Sequence, residues 1–129
     1  MTDKQILHYT ILEKLGAGGM GVVDLAYDTK LERTVAIKSL PYQVSEHSEE
    51  RERFKNEARA AAALNHPNIA QIYAIEEKDT DLFIVMEYVE GKDLMEMVDL
   101  RNRQPLPVDD VMRYAGQISA GLASAHKRG

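Results

Sequence analysis

Gly16-Ala17-Gly18-Gly19-Met20-Gly21-Val22-Val23, followed by Val35-Ala36-Ile37-Lys38, is the pair of strings on which the reading of this chain turns. The first is a glycine loop with short β-prone runs on either side, residues 9–15 and 22–27, which predicts a hairpin. The second sets a lysine inside an apolar strand, residues 34–40, closed by Pro41. A charge in such a strand is costly unless something anionic meets it. Strand alternation puts Ala36 and Lys38 on one face and Val35 and Ile37 on the other. A small residue beside a lysine suits a site that admits a flat ring and then meets negative charge.

A glycine loop of this form has several meanings. A dinucleotide site needs a helix opening directly on the last glycine. Here Val22-Val23-Asp24-Leu25-Ala26-Tyr27 follows, β-branched and aromatic, with no helical stripe. A Walker-type phosphate loop ends in Gly-Lys-Ser/Thr, and Gly21-Val22-Val23 does not supply it. The plain alternative is a hairpin turn in which glycine only permits positive φ. That alternative weakens because the next strand carries Lys38.

Beyond Pro41 a helix is expected, with Ser48 as its N-cap and Glu49, Glu50 and Glu52 in or near the first turn. Phe54, Ala58, Ala61 and Ala62 recur at helical spacing and give it one apolar face. It should end near Asn65, because Pro67 restricts His66 away from helical dihedrals. Glu57, beside that apolar face, is a candidate counterion for Lys38. Residues 69–76 and 82–88 read as two more strands around Lys78-Asp79-Thr80-Asp81. Gly91 breaks the run, Leu94–Leu100 reads as a short helix, and 101–107 is a linker with Pro105 and Pro107. From Val108 onward, Val111, Ala115, Ile118, Leu122 and Ala125 form the stripe of a long amphipathic helix that tolerates Gly116 and Gly121. Three strands, a helix, two strands and further helices give an α+β fold with a five-stranded antiparallel sheet.

Composition narrows the partners. The 129 residues have room for one core, and 44% hydrophobic with 29% charged residues is ordinary for a globular chain. A net charge of -5 argues against nucleic acid or an anionic membrane as partner. No apolar run is long enough to span a bilayer, and Met1-Thr2-Asp3-Lys4 opens no signal peptide. The absence of cysteine removes disulfides and thiolate metal sites. A cytoplasmic location is expected. His8, His47, His66 and His126 lack partners at catalytic or metal-ligand spacing, and Asp109-Asp110 suits the dipole of a helix start.

The linked motifs resemble the protein kinase family, whose signature joins G-x-G-x-x-G-x-V to V-A-I-K. Phe54-Lys55-Asn56-Glu57-Ala58 resembles the family's αC helix with its ion-pairing glutamate. His66-Pro67-Asn68-Ile69 resembles the turn into the fourth strand, and Phe83-Ile84-Val85-Met86-Glu87-Tyr88-Val89-Glu90-Gly91 the fifth strand and hinge. The likeness runs from about Tyr9 to Gly129 and most suggests the bacterial serine/threonine kinase group, through the glycine loop and the ending Glu57-Ala58-Arg59-Ala60-Ala61-Ala62-Ala63-Leu64.

The resemblance implies a kinase N-lobe with hinge over residues 1–90, binding ATP, and the start of the C-lobe, its αD and αE helices, over 91–129. It implies that Leu15, Val23 and Ala36 pack on the adenine, with Met86 as gatekeeper at the back of the pocket. The backbone of Glu87 and Val89 would bond the adenine edge, and Asp93 would reach the ribose. The loop Gly16, Ala17, Gly18, Gly19, Met20 and Gly21 would cover the phosphates, which Lys38 contacts while Glu57 holds it in place. Asp24 stands where relatives often carry an aromatic residue, and Ala61 is small for the αC face that aligns active kinases.

No H-R-D or D-F-G motif occurs in these residues, and His126-Lys127-Arg128-Gly129 resembles the end of the αE helix. The chain is therefore expected to be the nucleotide-binding half of an ATP-dependent serine/threonine-type kinase, inactive alone. The complete kinase would use Mg2+, whose ligands this chain lacks, and phosphorylate a protein substrate. The competing expectation is a stand-alone interaction or regulatory module without chemistry. Downstream H-R-D and D-F-G motifs would decide between them. Cut off from the rest of a large lobe, the helix at 108–128 is expected to expose its stripe and permit a homodimer.

Overall fold

The computed structural model describes residues 4–18, 21–40 and 48–129. They form two compact units, Met1–Asn65 with Ala70–Tyr88, and His66–Ile69 with Val89–Gly129. The loop residues Gly19 and Met20, the strand-closing Pro41 and His47 lie outside the described residues.

The first unit is one antiparallel sheet with a helix. Its strands are β1 (Gln5–Ile6), β2 (Tyr9–Gly18), β3 (Gly21–Asp28), β4 (Arg33–Ser39), β5 (Ile72–Lys78) and β6 (Asp81–Glu87). Helix α1 (Ser48–Ala62) lies between β4 and β5 in the chain. The sheet has six strands in the order β1-β2-β3-β4-β6-β5, which corrects the expected five. The added strand is too short to show a period. It pairs Ile6 with Tyr9 and Gln5 with Thr10 across the turn Leu7-His8, where Leu7 takes a left-handed φ of 54°. Gly21 opens β3 at φ 118°, a conformation that favours glycine.

Alternation builds two cores, one on each face of the sheet. Val35 and Ile37 join Ile6, Tyr9, Ala26, Phe83 and Val85 on the outer face. The sheet curls enough to bring the Tyr9 hydroxyl on β2 to 3.5 Å from Glu76 Oε1 on β5. Burial, then the Glu76 and Asp28 carboxylates, push the Tyr9 phenol up to about 12. On the inner face Leu40, Leu82 and Ile84 meet Phe54 and Ala58 of α1. Of the expected apolar helix positions, Phe54 and Ala58 are buried. Ser48 is the first helical residue rather than the cap.

Strand β5 begins later than expected because Ile69 is held in a turn, its N–H donating to His66 O at 3.1 Å. His66 has a local task here: its Nδ1 accepts from the Asn68 N–H at 3.0 Å.

The second unit holds α2 (Leu94–Leu100) and α3 (Val108–His126). Asp93 caps α2, Oδ1 accepting from the Glu96 N–H at 2.8 Å. Asn68 donates from Nδ2 to Gln117 O on α3 at 3.0 Å. Gly121 is buried where α3 passes the 66–69 segment, and a Cβ there would stand 3.4 Å from Asn68 O and the Ile69 side chain. The stripe residues Val111, Ile118 and Leu122 are exposed.

Candidate nucleotide site

Backbone register assembles the inner face of the first unit. Lys38 on β4 lies between Val23 on β3 and Ile84 on β6, and Ala36 lies between Leu25 and Met86. Directly paired residues project to the same side of a sheet, so Val23, Ala36, Lys38 and Met86 share one face. Three strands thus bring four expected site residues together. Ala36 is buried, Lys38 and Met86 are half-buried, and Met86 packs against the core under α1. Leu15, exposed, sits at the irregularity of the β2–β3 ladder between Lys14 and Gly16. Gly16, Ala17 and Gly18 pair with Val23, Val22 and Gly21, so the glycine stretch lengthens the β2–β3 hairpin.

Glu87 ends β6. Its N–H donates to Gln71 O at 2.7 Å, and its carboxylate accepts from the Gln71 N–H at 3.0 Å. In the second unit Val89 is exposed, and the Asp93 carboxylate is occupied in capping α2.

Lys38 and Glu57 are not joined. No ion pair links them among the described residues, and Glu57 instead accepts from Arg53 Nε at 3.2 Å with its side chain 60% exposed. The expected Lys38–Glu57 pair is thus not formed in this conformation, because α1 presents Glu57 to solvent. The charges that do engage the helix escaped the sequence reading. Arg51 Nη2 meets Glu77 Oε2 at 2.9 Å, Lys55 meets the other Glu77 oxygen, and Arg51 Nη1 donates to Thr80 O at 2.9 Å. Hydrogen bonds from Lys55 and then Arg51 hold the Glu77 carboxyl below its usual range. The four-residue spacing of Arg51 and Lys55 was the available signal.

A separate open cleft of about 330 Å³ near β1, lined by Lys4, Asp24, Lys78 and Phe83 among others, mixes charges of both signs. Among the described residues no cluster of three or more His, Asp or Glu side chains is placed to hold a metal. Nor is any described helix long and apolar enough to cross a membrane.

The protein kinase domain family model matches residues 9–129. The chain is 39% identical over 127 residues to the serine/threonine-protein kinase PksC of Streptomyces coelicolor, covering 94% of this chain and 23% of that protein. It is 42% identical over 119 residues to the serine/threonine-protein kinase PrkC of Bacillus subtilis, covering 92% of this chain and 18% of that protein. The crystal structure of the Mycobacterium tuberculosis PknI kinase domain superposes with a TM-score of 0.84 at 32% identity, covering all of this chain and 52% of that one. The chain therefore spans about a fifth of the length of these curated relatives and about half of the solved kinase domain. With the glycine hairpin, the lysine strand and α1 in the order the match requires, the chain belongs to the protein kinase family.

Proposed function

We propose that this chain is the nucleotide-binding half of a serine/threonine protein kinase that transfers the γ-phosphoryl group of ATP to protein hydroxyls. The observation that supports the reading is the ladder register, by which Val23, Ala36, Lys38 and Met86 share one face of the sheet that carries the glycine hairpin. Val23, Ala36 and Leu15 supply apolar contact to the adenine, and Met86 closes the back of the pocket. With its N–H already given to Gln71, Glu87 offers its carbonyl to the adenine amino group. Val89 adds a backbone N–H, and Asp93 takes the ribose in place of its capping bond. Lys38 supplies the cation for the α- and β-phosphates, oriented by Glu57 when α1 turns it inward. The glycine loop admits the phosphates closely because no side chain stands in the way.

The rest of the chemistry belongs to residues this chain does not contain. Phosphoryl transfer is mostly positioning and charge neutralisation. Residues 1–90 serve as the N-lobe and hinge and 91–129 as the start of the C-lobe. The reading places the kinase in the cytoplasm, with magnesium and a protein substrate as its other requirements. The exposed stripe of α3 supports a homodimer of the isolated chain through 108–128.

Calorimetric titration of the chain with ATP tests the reading. A half-site predicts weak binding, on the order of 0.1–1 mM, without phosphoryl transfer. Low-micromolar, magnesium-dependent binding, or none that Ala36→Trp weakens, would contradict it.

A further inference from the structure

The geometry points to Glu77 as a latch that holds α1 rolled so that Glu57 faces away from the sheet. The inference rests on the proposed pairing of Lys38 with Glu57. Successive residues turn by about 100° around a helix. By that measure Lys55 and Glu57 lie on opposite flanks of the buried line through Phe54 and Ala58, each about 80° from it. The two flanks are treated very differently. On one, Arg51 and Lys55 are sheltered, their side chains 20% and 17% exposed, and both engage Glu77. On the other, Arg53 and Glu57 pair with each other at 82% and 60% exposure.

A carboxylate that draws Lys55 toward the β5–β6 hairpin turns the opposite flank, and Glu57 with it, outward. Arg51 fixes the same setting one turn earlier, through Glu77 Oε2 and through Thr80 O in the turn itself. The outer pair offers little resistance to a roll, because an exposed i,i+4 ion pair is screened by solvent and contributes little. The inner flank is therefore what sets the helix. Releasing Glu77 frees α1 to turn about Phe54 and Ala58 and carry Glu57 toward Lys38. Glu77 is then a positioning residue that acts through Glu57 and opposes the catalytic arrangement.

The test uses Glu77→Gln, which keeps the shape of the side chain and removes its charge. The chain has no cysteine, so spin labels at Glu13→Cys on β2 and Glu52→Cys on α1 report one distance. A helix with its side chains has a radius of about 5–6 Å, so a roll of about 60° moves the α1 label by about 5 Å. The expected result is a change of that size in the label distance. In the full-length kinase it should accompany about a fivefold rise in kcat at unchanged KM for protein substrate, the shift given by roughly 1 kcal/mol of released ion-pair energy. Lys55→Gln breaks the same contact from the helix side and should act in the same direction, which guards against a folding defect particular to position 77. A purely structural role would lower activity and not raise it. An unchanged label distance in both variants, or a fall in kcat, overturns the latch. Lys38→Met separates the two readings: if it leaves transfer intact the kinase site itself is misassigned, whereas a dead Lys38→Met beside a silent Glu77→Gln refutes only the latch.

Discussion

Leu82→Ala should cost a large part of the stability of the sheet and helix. Leu82 is fully buried on β6, packed with Leu40, Ile84, Phe54 and Ala58 between the sheet and α1. Shortening it to alanine loses the transfer energy of the removed carbons and leaves a cavity. Two elements meet there, and neither closes it without moving its own buried partners. Such truncations cost about 2–5 kcal/mol, and complete burial puts this one near 3–4 kcal/mol. Domains of this kind have only about 5–15 kcal/mol in total. With a urea slope of about 1–3 kcal/mol per molar, the midpoint should fall by about 1–4 M. Leu31→Ala is the matched control, since Leu31 is 63% exposed and its truncation should stay within about 0.5 kcal/mol. Urea melts followed by circular dichroism compare the two. Equal midpoints for Leu82→Ala and Leu31→Ala would refute the packing described for the inner face.

Leu7 is part-exposed and holds a left-handed φ of 54° in the β1–β2 turn, so Leu7→Asn should raise stability by about 0.5–1 kcal/mol, read as a higher urea midpoint. The Tyr9 phenol should ionise at about 12. The native fold favours its protonated form, so that contribution is whole below about pH 10, the unfolded value, and is lost as pH rises through about 12. Tyrosinate absorbance of the native protein minus that of Tyr9→Phe gives the titration directly, and a midpoint near 10 would show the phenol to be free.

Legibility followed the range of the interactions. Ala36/Lys38 and Val35/Ile37 separate onto two faces because strand alternation is local, and both cores follow from it. Helix α2 runs over Leu94–Leu100 as its sequence indicates, since Asp93 caps it within one turn. The bounds of β5 did not follow, because Ile69 belongs to a turn set by His66 and Asn68. A two-residue strand such as β1 carries no period and depends on pairing with β2. The setting of Glu57 lies furthest from the sequence. Its mid-helix place was readable, but its direction depends on how Glu77, on the strand that follows the helix, engages Arg51 and Lys55. Gly121, expected only as a tolerated interruption of α3, is where that helix meets the backbone of Asn68.

The central claim is that Lys38, on the face it shares with Val23, Ala36 and Met86, meets the phosphates of ATP for transfer to protein. The direct measurement is transfer of the γ-phosphoryl group to serine and threonine of a protein substrate by the full-length protein, wild type against Lys38→Met. Methionine keeps the packing of the lysine stem and removes only the charge. The account predicts transfer by the wild type and a loss of at least about 100-fold in Lys38→Met, with the circular dichroism spectrum unchanged. Comparable turnover by the two proteins would contradict it.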